Sequence, residues 1–301
     1  MDNSYLTLCD FDATTYKNVN TDLATLDKES LKNHFLAHGI SEGRLYNHIK
    51  SRKDFVDLIP TEGKMLEIGP LDNPQLDFDS PNYFSLDVFN KAQLIENYKT
   101  DPSVKKENII EPTYVIQNND YTHITETFNS VFSSHSIEHM PCVVTFLNNL
   151  EGLLQPDGCV YIIIPDKRYC FDYFRKETDI FDVLQLYYEK NGRPRLTDVL
   201  RQVTLITHND AAAHWNGEHG TIHPEQKLQQ NYQPVLERYK SGVYIDTHVS
   251  CFTPETFTQI IRQLNSLNLI RLELHKMYHT LRGGLEFYAI LKLSGHNQKK
   301  N

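Results

Sequence analysis

The sequence of 301 residues lacks the segments that target or anchor a protein in a membrane. No apolar run approaches the ~20 residues that a membrane-spanning helix needs. The longest run, Val160 to Ile164, has the length of a strand. The amino-terminal stretch carries Asp2, Asp10 and Asp12 where a secretory signal would have a basic segment and then an apolar one. These absences predict a cytoplasmic protein with no membrane span.

Clustered positive charge and paired cysteines are also missing. The formal net charge is −9, and no run of lysine or arginine exceeds two residues, as in Lys105-Lys106. A surface that binds a nucleic-acid backbone needs a basic face, so the composition predicts no nucleic-acid partner. The five cysteines form no C-x-x-C pair, and their odd number and scatter favour reduced thiols.

A strand followed by a sharp turn begins near residue 64. The apolar segment 65–68 predicts a short buried strand, which Gly69 and Pro70 end in a turn. A second strand-like run ends at Asp87, twenty residues after Glu67. Nucleotide-binding α/β folds place a ribose-binding acid at that distance, because a carboxylate accepts hydrogen bonds from two neighbouring hydroxyls. The other glycines of the G-x-G-x-x-G pattern are absent, so an ordinary turn remains open on these residues alone.

Strands and helices then alternate as in a mostly parallel α/β sheet. Strands are predicted at 82–86, 113–117, 128–133, 160–164, 269–274 and 286–293, with helices at 90–98, 142–152 and after Thr253, and a turn at Pro156-Asp157-Gly158. Two parts break the alternation. Residues 1–50 predict a small helical module, and residues 166–250, within a main domain at 51–301, form an aromatic and histidine-rich insertion. Insertions of this length are usually lids or binding surfaces.

Four segments together resemble the class I S-adenosylmethionine-dependent methyltransferases. They are MLEIGP (65–70), YFSLD (83–87), FNSVFSSHSIEHM (128–140) and LLQPDGCVYIIIP (153–165). The resemblance covers roughly residues 50–165 and the last fifty residues. It implies a Rossmann-like methyltransferase fold with a mostly parallel seven-stranded sheet, and S-adenosyl-L-methionine as the cofactor. The single glycine of the first segment favours this family over a Rossmann dehydrogenase.

Three further segments resemble proteins of surface-glycan synthesis. IPDKRYCFDYFR (164–175) and YIDTHVSCFTPETF (244–257) are similar to a methyltransferase subgroup found with polysaccharide and cell-surface glycan genes. HFLAHGISEGRLY (34–46) resembles a helical module of cell-surface and glycosyltransferase-associated proteins, which implies a partner protein at residues 1–50; a helical cap on the main domain is the alternative.

The implied function is methyl transfer to an oxygen or nitrogen of a glycan, sugar-phosphate or nucleotide-sugar acceptor in the biosynthesis of a surface polysaccharide such as a capsule. A small metabolite or a lipid as the acceptor, and a non-catalytic cofactor-binding scaffold, are the alternatives.

The resemblance also implies which residues bind the cofactor. They are Glu67, Gly69, Pro70, Asp87, Asn119, Asp120 and His135. Gly69 and Pro70 would let the backbone approach the methionine portion, while Glu67 would orient this turn or the cofactor's ammonium group. Asp87 would bind the ribose hydroxyls, and Asn119 or Asp120 the adenine amino group. His135 would line the junction of cofactor and acceptor, with a packing role as its alternative.

A hydroxyl acceptor needs a general base, and His248 and His139 are the candidates. Asp246 stands two residues before His248, so on a strand the two would share a face and the carboxylate would orient the imidazole. A structural role remains open for both histidines. Four residues are predicted to bind the acceptor: Asp166, Arg168, Tyr169 and His214. An Asp166–Arg168 ion pair that fixes the insertion is the alternative for the first two. His214, Glu218 and His219 match no standard metal motif, so no metal is predicted.

Overall fold

The computed structural model describes residues 3–116 and 120–295. Within these ranges, seven strands form one sheet: β1 Met65–Ile68, β2 Tyr83–Asp87, β3 Tyr114–Val115, β4 Phe128–Ser134, β5 Leu154–Pro165, β6 Leu272–Tyr278 and β7 Glu286–Leu293. The order across the sheet is β3-β2-β1-β4-β5-β7-β6. Strands β1 to β5 pair in parallel, while β7 runs antiparallel to both β5 and β6. The predicted α/β, Rossmann-like class with a mostly parallel seven-stranded sheet is confirmed.

Helices cover the sheet and build the amino-terminal part of the chain. Their bounds are α1 Asn3–Leu8, α2 Ala13–Val19, α3 Lys28–His34, α4 Arg52–Val56, α5 Lys91–Asn97, α6 Val143–Leu153, α7 Ile180–Glu189, α8 Leu196–Leu205, α9 Ala211–Trp215, α10 Pro224–Lys240 and α11 Pro254–Ser266. A π-helical turn spans Phe35–Gly39, and 3₁₀ turns span Thr21–Leu23, Lys106–Asn108 and Ile137–His139. Each helix of the described residues is too short or too polar to cross a membrane.

Two apolar layers bury the two faces of the sheet. Leu66 of β1 lies in one cluster with Leu147 of α6 and Phe257 of α11. Met65, which points to the other face, packs in a second cluster with Phe55 of α4. All four residues of β1 are buried, as expected of a parallel strand covered on both faces.

The centre of the sheet determines where a ligand can bind. Strand β1 has β2 on one side and β4 on the other, so the winding of the chain reverses between β1 and β4. In open α/β sheets, ligands bind at such a reversal, outside the carboxyl ends of the strands. Here those ends carry Gly69, Asp87 and His135.

Some predicted boundaries differ from the observed ones. The turn expected at residues 156–158 is a bulge inside β5, because the register passes from the pair Phe128–Leu154 directly to the pair Ser130–Cys159. Strand β6 begins at Leu272, three residues later than expected, and has a register shift of its own. The strand expected at 113–117 has two residues, Tyr114–Val115, and its last predicted residue lies outside the described ones.

The amino-terminal fifty residues hold α1 to α3, two further helical turns and irregular connections, and they share their core with the sheet. Phe35 and Tyr46 are buried in the same cluster as Leu66. The backbone N–H of His279 donates to the Tyr46 hydroxyl at 2.9 Å, and the Tyr278 hydroxyl donates to Asp10 at 2.8 Å. The division into domains at residue 50 stays a prediction.

Three distant parts of the chain meet at Gly43. The backbone N–H of Arg282, between β6 and β7, donates to the carbonyl of Gly43 at 2.8 Å. Gly43 has a φ of +64°, and a Cβ built there would lie 2.5 Å from the indole of Trp215 and 2.6 Å from the nitrogen of Arg282. We call this contact the Gly43 junction; it joins the amino-terminal helices, the insertion and the β6–β7 connection.

Candidate active site

The turn after β1 leaves open space at the centre of the carboxyl edge. Gly69 has a φ of +63°, in the left-handed region that glycine adopts without strain. Its backbone N–H donates to the carbonyl of Leu86 at 2.8 Å, which fixes the turn to the end of β2. Among the described residues, the atom nearest to a Cβ built on Gly69 is Ser136 Oγ, at 3.9 Å. A ligand can therefore approach the backbone closely here.

Glu67 organises the loop that follows this turn. Its buried carboxylate accepts hydrogen bonds from the N–H groups of Gln75 at 2.8 Å and Leu76 at 3.3 Å, and from the Tyr83 hydroxyl at 3.1 Å. Burial raises the pKa of Glu67, although these three donors stabilise its charged form. These contacts lie on the loop at residues 75–76 and on β2, and the predicted orienting of the turn or of the cofactor's ammonium group stays a prediction. Pro70, which follows Gly69 in the turn, is buried.

Asp87 lies beside Gly69 on the neighbouring strand. The pair Ile68–Leu86 is the last in register between β1 and β2, so Gly69 and Asp87 occupy the next positions. The Asp87 carboxylate accepts the N–H of Phe89 at 3.1 Å. Burial raises the pKa of Asp87. Its position agrees with the predicted ribose-binding role.

The predicted adenine contact falls on a loop that is described only in part. Asn119 lies outside the described residues. The Asp120 carboxylate is exposed and accepts hydrogen bonds from the N–H of Thr122 at 2.9 Å and from its hydroxyl at 2.6 Å. These bonds lower the pKa of Asp120. Adenine binding by either residue stays a prediction.

His135 belongs to a charged triad that the sequence analysis missed. Its Nε2 lies 2.9 Å from Oε2 of Glu286, and Arg52 binds the same carboxylate with two hydrogen bonds, at 3.0 and 2.6 Å. Burial acts against the charge of Glu286, but His135 and Arg52 outweigh it and lower its pKa to about 2. This Arg52–Glu286–His135 triad ties the end of β4 to the start of β7. Its members lie far apart in sequence and in no common motif.

The residue that orients His248 is Asp172, so the prediction of Asp246 is wrong. His248 Nδ1 lies 2.5 Å from Asp172 Oδ2, and Arg175 donates to the other oxygen of Asp172 at 2.8 Å. Asp246 lies instead 2.8 Å from Nδ1 of His139. The prediction assumed a strand at 244–250, but this segment is irregular, so residues two apart share no face.

The two predicted general bases lie together around a buried acid. Glu138 is 1% exposed, and its Oε1 lies 3.7 Å from Nε2 of His139 and 4.0 Å from Nε2 of His248. The two imidazole rings contact edge to face, with centroids 4.5 Å apart. We call these three residues the Glu138 cluster. Glu138 had no predicted role, although it stands next to His139 in the fourth-strand motif.

Electrostatics within the cluster raise the pKa of His139. Burial disfavours the imidazolium, but Asp246 and then Glu138 outweigh it, so the pKa of His139 is raised. Burial likewise acts against a charged Asp172, while its contacts with His248 and Arg175 lower its pKa. The backbone N–H groups of Val249 and Ser250 donate to the carbonyl of Glu138, which holds His248 beside the end of β4.

Asp166 and Arg168 form the ion pair that the sequence left open as an alternative. Asp166 is fully buried and accepts two hydrogen bonds from Arg168, at 2.9 and 2.6 Å, and one from Thr280 at 2.7 Å. This burial contradicts the predicted contact between Asp166 and an acceptor. Tyr169 stacks on Trp215 with ring centroids 3.8 Å apart. Arg168 and Tyr169 are both partly exposed, so their acceptor role stays a prediction.

His214 is a core residue of the insertion. It is 2% exposed; its Nδ1 lies 3.0 Å from Nδ1 of His219, and its Nε2 lies 3.2 Å from the carbonyl of His208. Burial lowers the pKa of His214. Because His214 is buried, its side chain is not open to an acceptor, and the predicted contact disagrees with the structure. The ligand atoms that could together hold a metal ion belong, among the described residues, to the Glu138 cluster.

Comparisons with known proteins give distant structural likenesses. No protein-family model matches the chain, and no curated protein matches it significantly. The CcbJ methyltransferase from Streptomyces caelestis is 11% identical, with 80% of this chain and 93% of that chain covered and a TM-score of 0.40. A S-adenosylmethionine-dependent methyltransferase from Clostridium acetobutylicum is 9% identical over 94% of this chain and 98% of that one, also with a TM-score of 0.40. DhpI in its SAH complex is 11% identical over 96% of this chain and 98% of that one, with a TM-score of 0.38. Because likenesses this distant carry no argument about activity, the function is argued from the residues of this chain.

Proposed function

We propose that this chain binds S-adenosyl-L-methionine and transfers its methyl group to an oxygen or nitrogen of a glycan, sugar-phosphate or nucleotide-sugar acceptor in surface-polysaccharide synthesis. The observation that carries the proposal is the joint position of Gly69 and Asp87. A glycine turn with open space and an acid lie side by side at the carboxyl edge, where the winding of the sheet reverses. The sequence segments that resemble methyltransferases supply both residues.

The residues at this edge fit the cofactor. The backbone of Gly69 admits close approach of the methionine portion, since no Cβ occupies the space beside it. Glu67 keeps the turn in place through the backbone of Gln75 and Leu76. Asp87 accepts hydrogen bonds from the ribose hydroxyls. When bound, the cofactor supplies a methyl group already activated on a sulfonium.

The remaining tasks of the protein are to position the acceptor and to deal with its proton. The insertion, with the partly exposed Arg168 and Tyr169, is the part of the chain that we assign to acceptor binding. Removal of a proton from the acceptor falls to the Glu138 cluster, which contains both predicted bases. Asp172 holds the imidazole of His248 in a fixed orientation through a hydrogen bond, and Asp246 lies 2.8 Å from Nδ1 of His139.

Cofactor binding by the parent and by Asp87→Ala, measured by titration calorimetry, tests the proposal. Two hydrogen bonds to a charged acceptor contribute about 1.5–3 kcal/mol each, so we expect the dissociation constant to rise by about 100-fold or more. Asp157→Ala is the matched control, because Asp157 is exposed near the amino end of β5, away from the carboxyl edge of the sheet. Equal affinity of Asp87→Ala and the parent would refute the assignment.

Transfer of a tritiated methyl group identifies the acceptor class. Purified surface-glycan precursors, lipids and small metabolites are offered in parallel, with Asp87→Ala as the inactive reference. Label in the glycan fraction supports the proposal. Label in lipids or small metabolites would favour the second acceptor class, and binding without any transfer would favour a scaffold.

A further inference from the structure

The carboxylate of Glu138 is buried without a compensating hydrogen bond. Neither of its oxygens has a hydrogen-bond partner among the described residues, and the side chain is 1% exposed. Burying an unpaired carboxylate is costly, so a group of opposite charge is expected beside it. Three imidazole nitrogens surround Oε1: His139 Nε2 at 3.7 Å, His135 Nδ1 at 3.8 Å and His248 Nε2 at 4.0 Å. These distances are too long for hydrogen bonds.

One of these imidazoles, that of His248, is oriented by a hydrogen bond as metal ligands usually are, and that of His139 lies against a carboxylate. His139 Nδ1 lies 2.8 Å from Asp246, and His248 Nδ1 lies 2.5 Å from Asp172. A carboxylate on one ring nitrogen of a histidine fixes the ring and leaves the other nitrogen for a metal. Arg175 in turn forms an ion pair with Asp172 and so holds the carboxylate that contacts His248.

We propose that Glu138, His139 and His248 bind a divalent transition-metal ion. The three ligand atoms lie within 4.8 Å of one another. An ion bound at about 2.0–2.2 Å would draw them to roughly 3.0–3.5 Å apart, a movement that side-chain rotations of the order of 1 Å can supply. Two imidazoles and a carboxylate suit Zn²⁺ and its neighbours in the first transition row, and three ligands leave positions open.

The surroundings of the cluster support entry of an ion and limit its ligand set. His139 is 23% exposed, while Glu138 and His248 are buried, so the ion would enter past the ring of His139. His135 is not a ligand in this proposal, because the group of ligand atoms that all lie within 4.8 Å of one another comprises Glu138, His139 and His248 and does not include His135. The ion would place a positive charge in direct contact with the Glu138 carboxylate, which has no hydrogen-bond partner among the described residues.

A bound ion would change how the acceptor loses its proton, a consequence that rests on the proposed function. The ion and a proton compete for Nε2 of His248, so a metal-bound His248 cannot act as a base. An acceptor hydroxyl would instead coordinate the ion, which lowers the pKa of the hydroxyl, and its proton would pass to solvent water. The binding of the ion itself does not depend on methyl transfer.

Zinc binding by chelator-treated, full-length protein tests the site. We expect calorimetry to give one Zn²⁺ per chain, and Co²⁺ to give visible absorption bands of a site with nitrogen and oxygen ligands. Glu138→Gln keeps the size of the side chain and removes its charge, so it should bind Zn²⁺ at least 100-fold more weakly. Asp172→Asn, which changes only the support of His248, should weaken binding by about 10–100-fold. His223→Ala is the control, since His223 is an exposed histidine outside the cluster.

Two results would overturn the inference: no stoichiometric zinc in the parent protein, or equal zinc affinity in the parent and in a folded Glu138→Gln variant. Circular dichroism confirms that each variant is folded, and Glu138→Gln remains informative if Asp172→Asn fails to fold. Cofactor binding is measured in the same preparations. Zinc binding without cofactor binding would refute the proposed function and leave the ion site standing, and the reverse result would refute the ion site alone.

Discussion

Replacing Glu286 with glutamine measures what the Arg52–Glu286–His135 triad contributes to stability. The carboxylate is 13% exposed, and its pKa is lowered to about 2 from the usual 4.5. A shift of this size corresponds to about 3 kcal/mol of extra stability for the charged form. Glutamine keeps part of the hydrogen bonding to Arg52, so we expect Glu286→Gln to lose about 2–3 kcal/mol near pH 7.

The pH dependence is the sharper part of this prediction. A carboxyl group whose pKa is lowered in the folded state stabilises the fold above its unfolded pKa, and this stability is lost as the pH falls toward the folded value. The difference between parent and variant should therefore shrink steadily as the pH falls below 4.5.

Urea denaturation followed by circular dichroism at pH 7, 5, 4 and 3 gives the free energy of unfolding of each protein. Glu62→Gln is the matched control, since Glu62 is exposed and should show no pH-dependent difference. A difference between parent and Glu286→Gln that stays the same down to pH 3, or that is absent at pH 7, would refute the reasoning.

Two further predictions concern Gly69 and Trp215. Gly69→Ala places a Cβ on a residue with positive φ, so urea denaturation should show a loss of about 1 kcal/mol in the free energy of unfolding. Gly192→Ala is the control and should leave the stability unchanged, because Gly192 is at an open position without positive φ. Equal stability of Gly69→Ala and the parent would contradict the strained turn. Trp215 is the single tryptophan of the chain and stacks on Tyr169, so Tyr169→Leu should shift or brighten the tryptophan fluorescence. Tyr188→Leu, which changes an exposed tyrosine, is the control and should leave the fluorescence unchanged. An unchanged spectrum for Tyr169→Leu would argue against the stack.

The parts of the fold that could be predicted from the sequence depend on local patterns. Strand β1 is a short, largely apolar run ended by Gly69, and Asp87 ends the next strand-like run twenty residues after Glu67, so the two strands were placed correctly. A helix was predicted to follow Thr253, and the Thr253 hydroxyl accepts the N–H of Thr256 at the start of α11. In each case neighbours in sequence are also neighbours in space.

The parts that could not be predicted depend on contacts between distant residues. Asp172 reaches His248 across 76 positions, and Glu286 reaches His135 across 151. Asp246 was favoured for His248 because it is close in sequence, but the irregular backbone turns it toward His139 instead. The return of the insertion to the end of β4, where Val249 and Ser250 donate to the carbonyl of Glu138, places His248 beside this strand end.

The Gly43 junction also bears on how such a chain can change over evolutionary time. A side chain larger than glycine at position 43 would meet the indole of Trp215 and the backbone of Arg282. It would be tolerated only with a smaller residue at 215 and a displaced connection at 282. Substitutions at these positions should therefore arise together in descendants of this sequence. Recombination that exchanges the first fifty residues alone would break this correlation and be selected against.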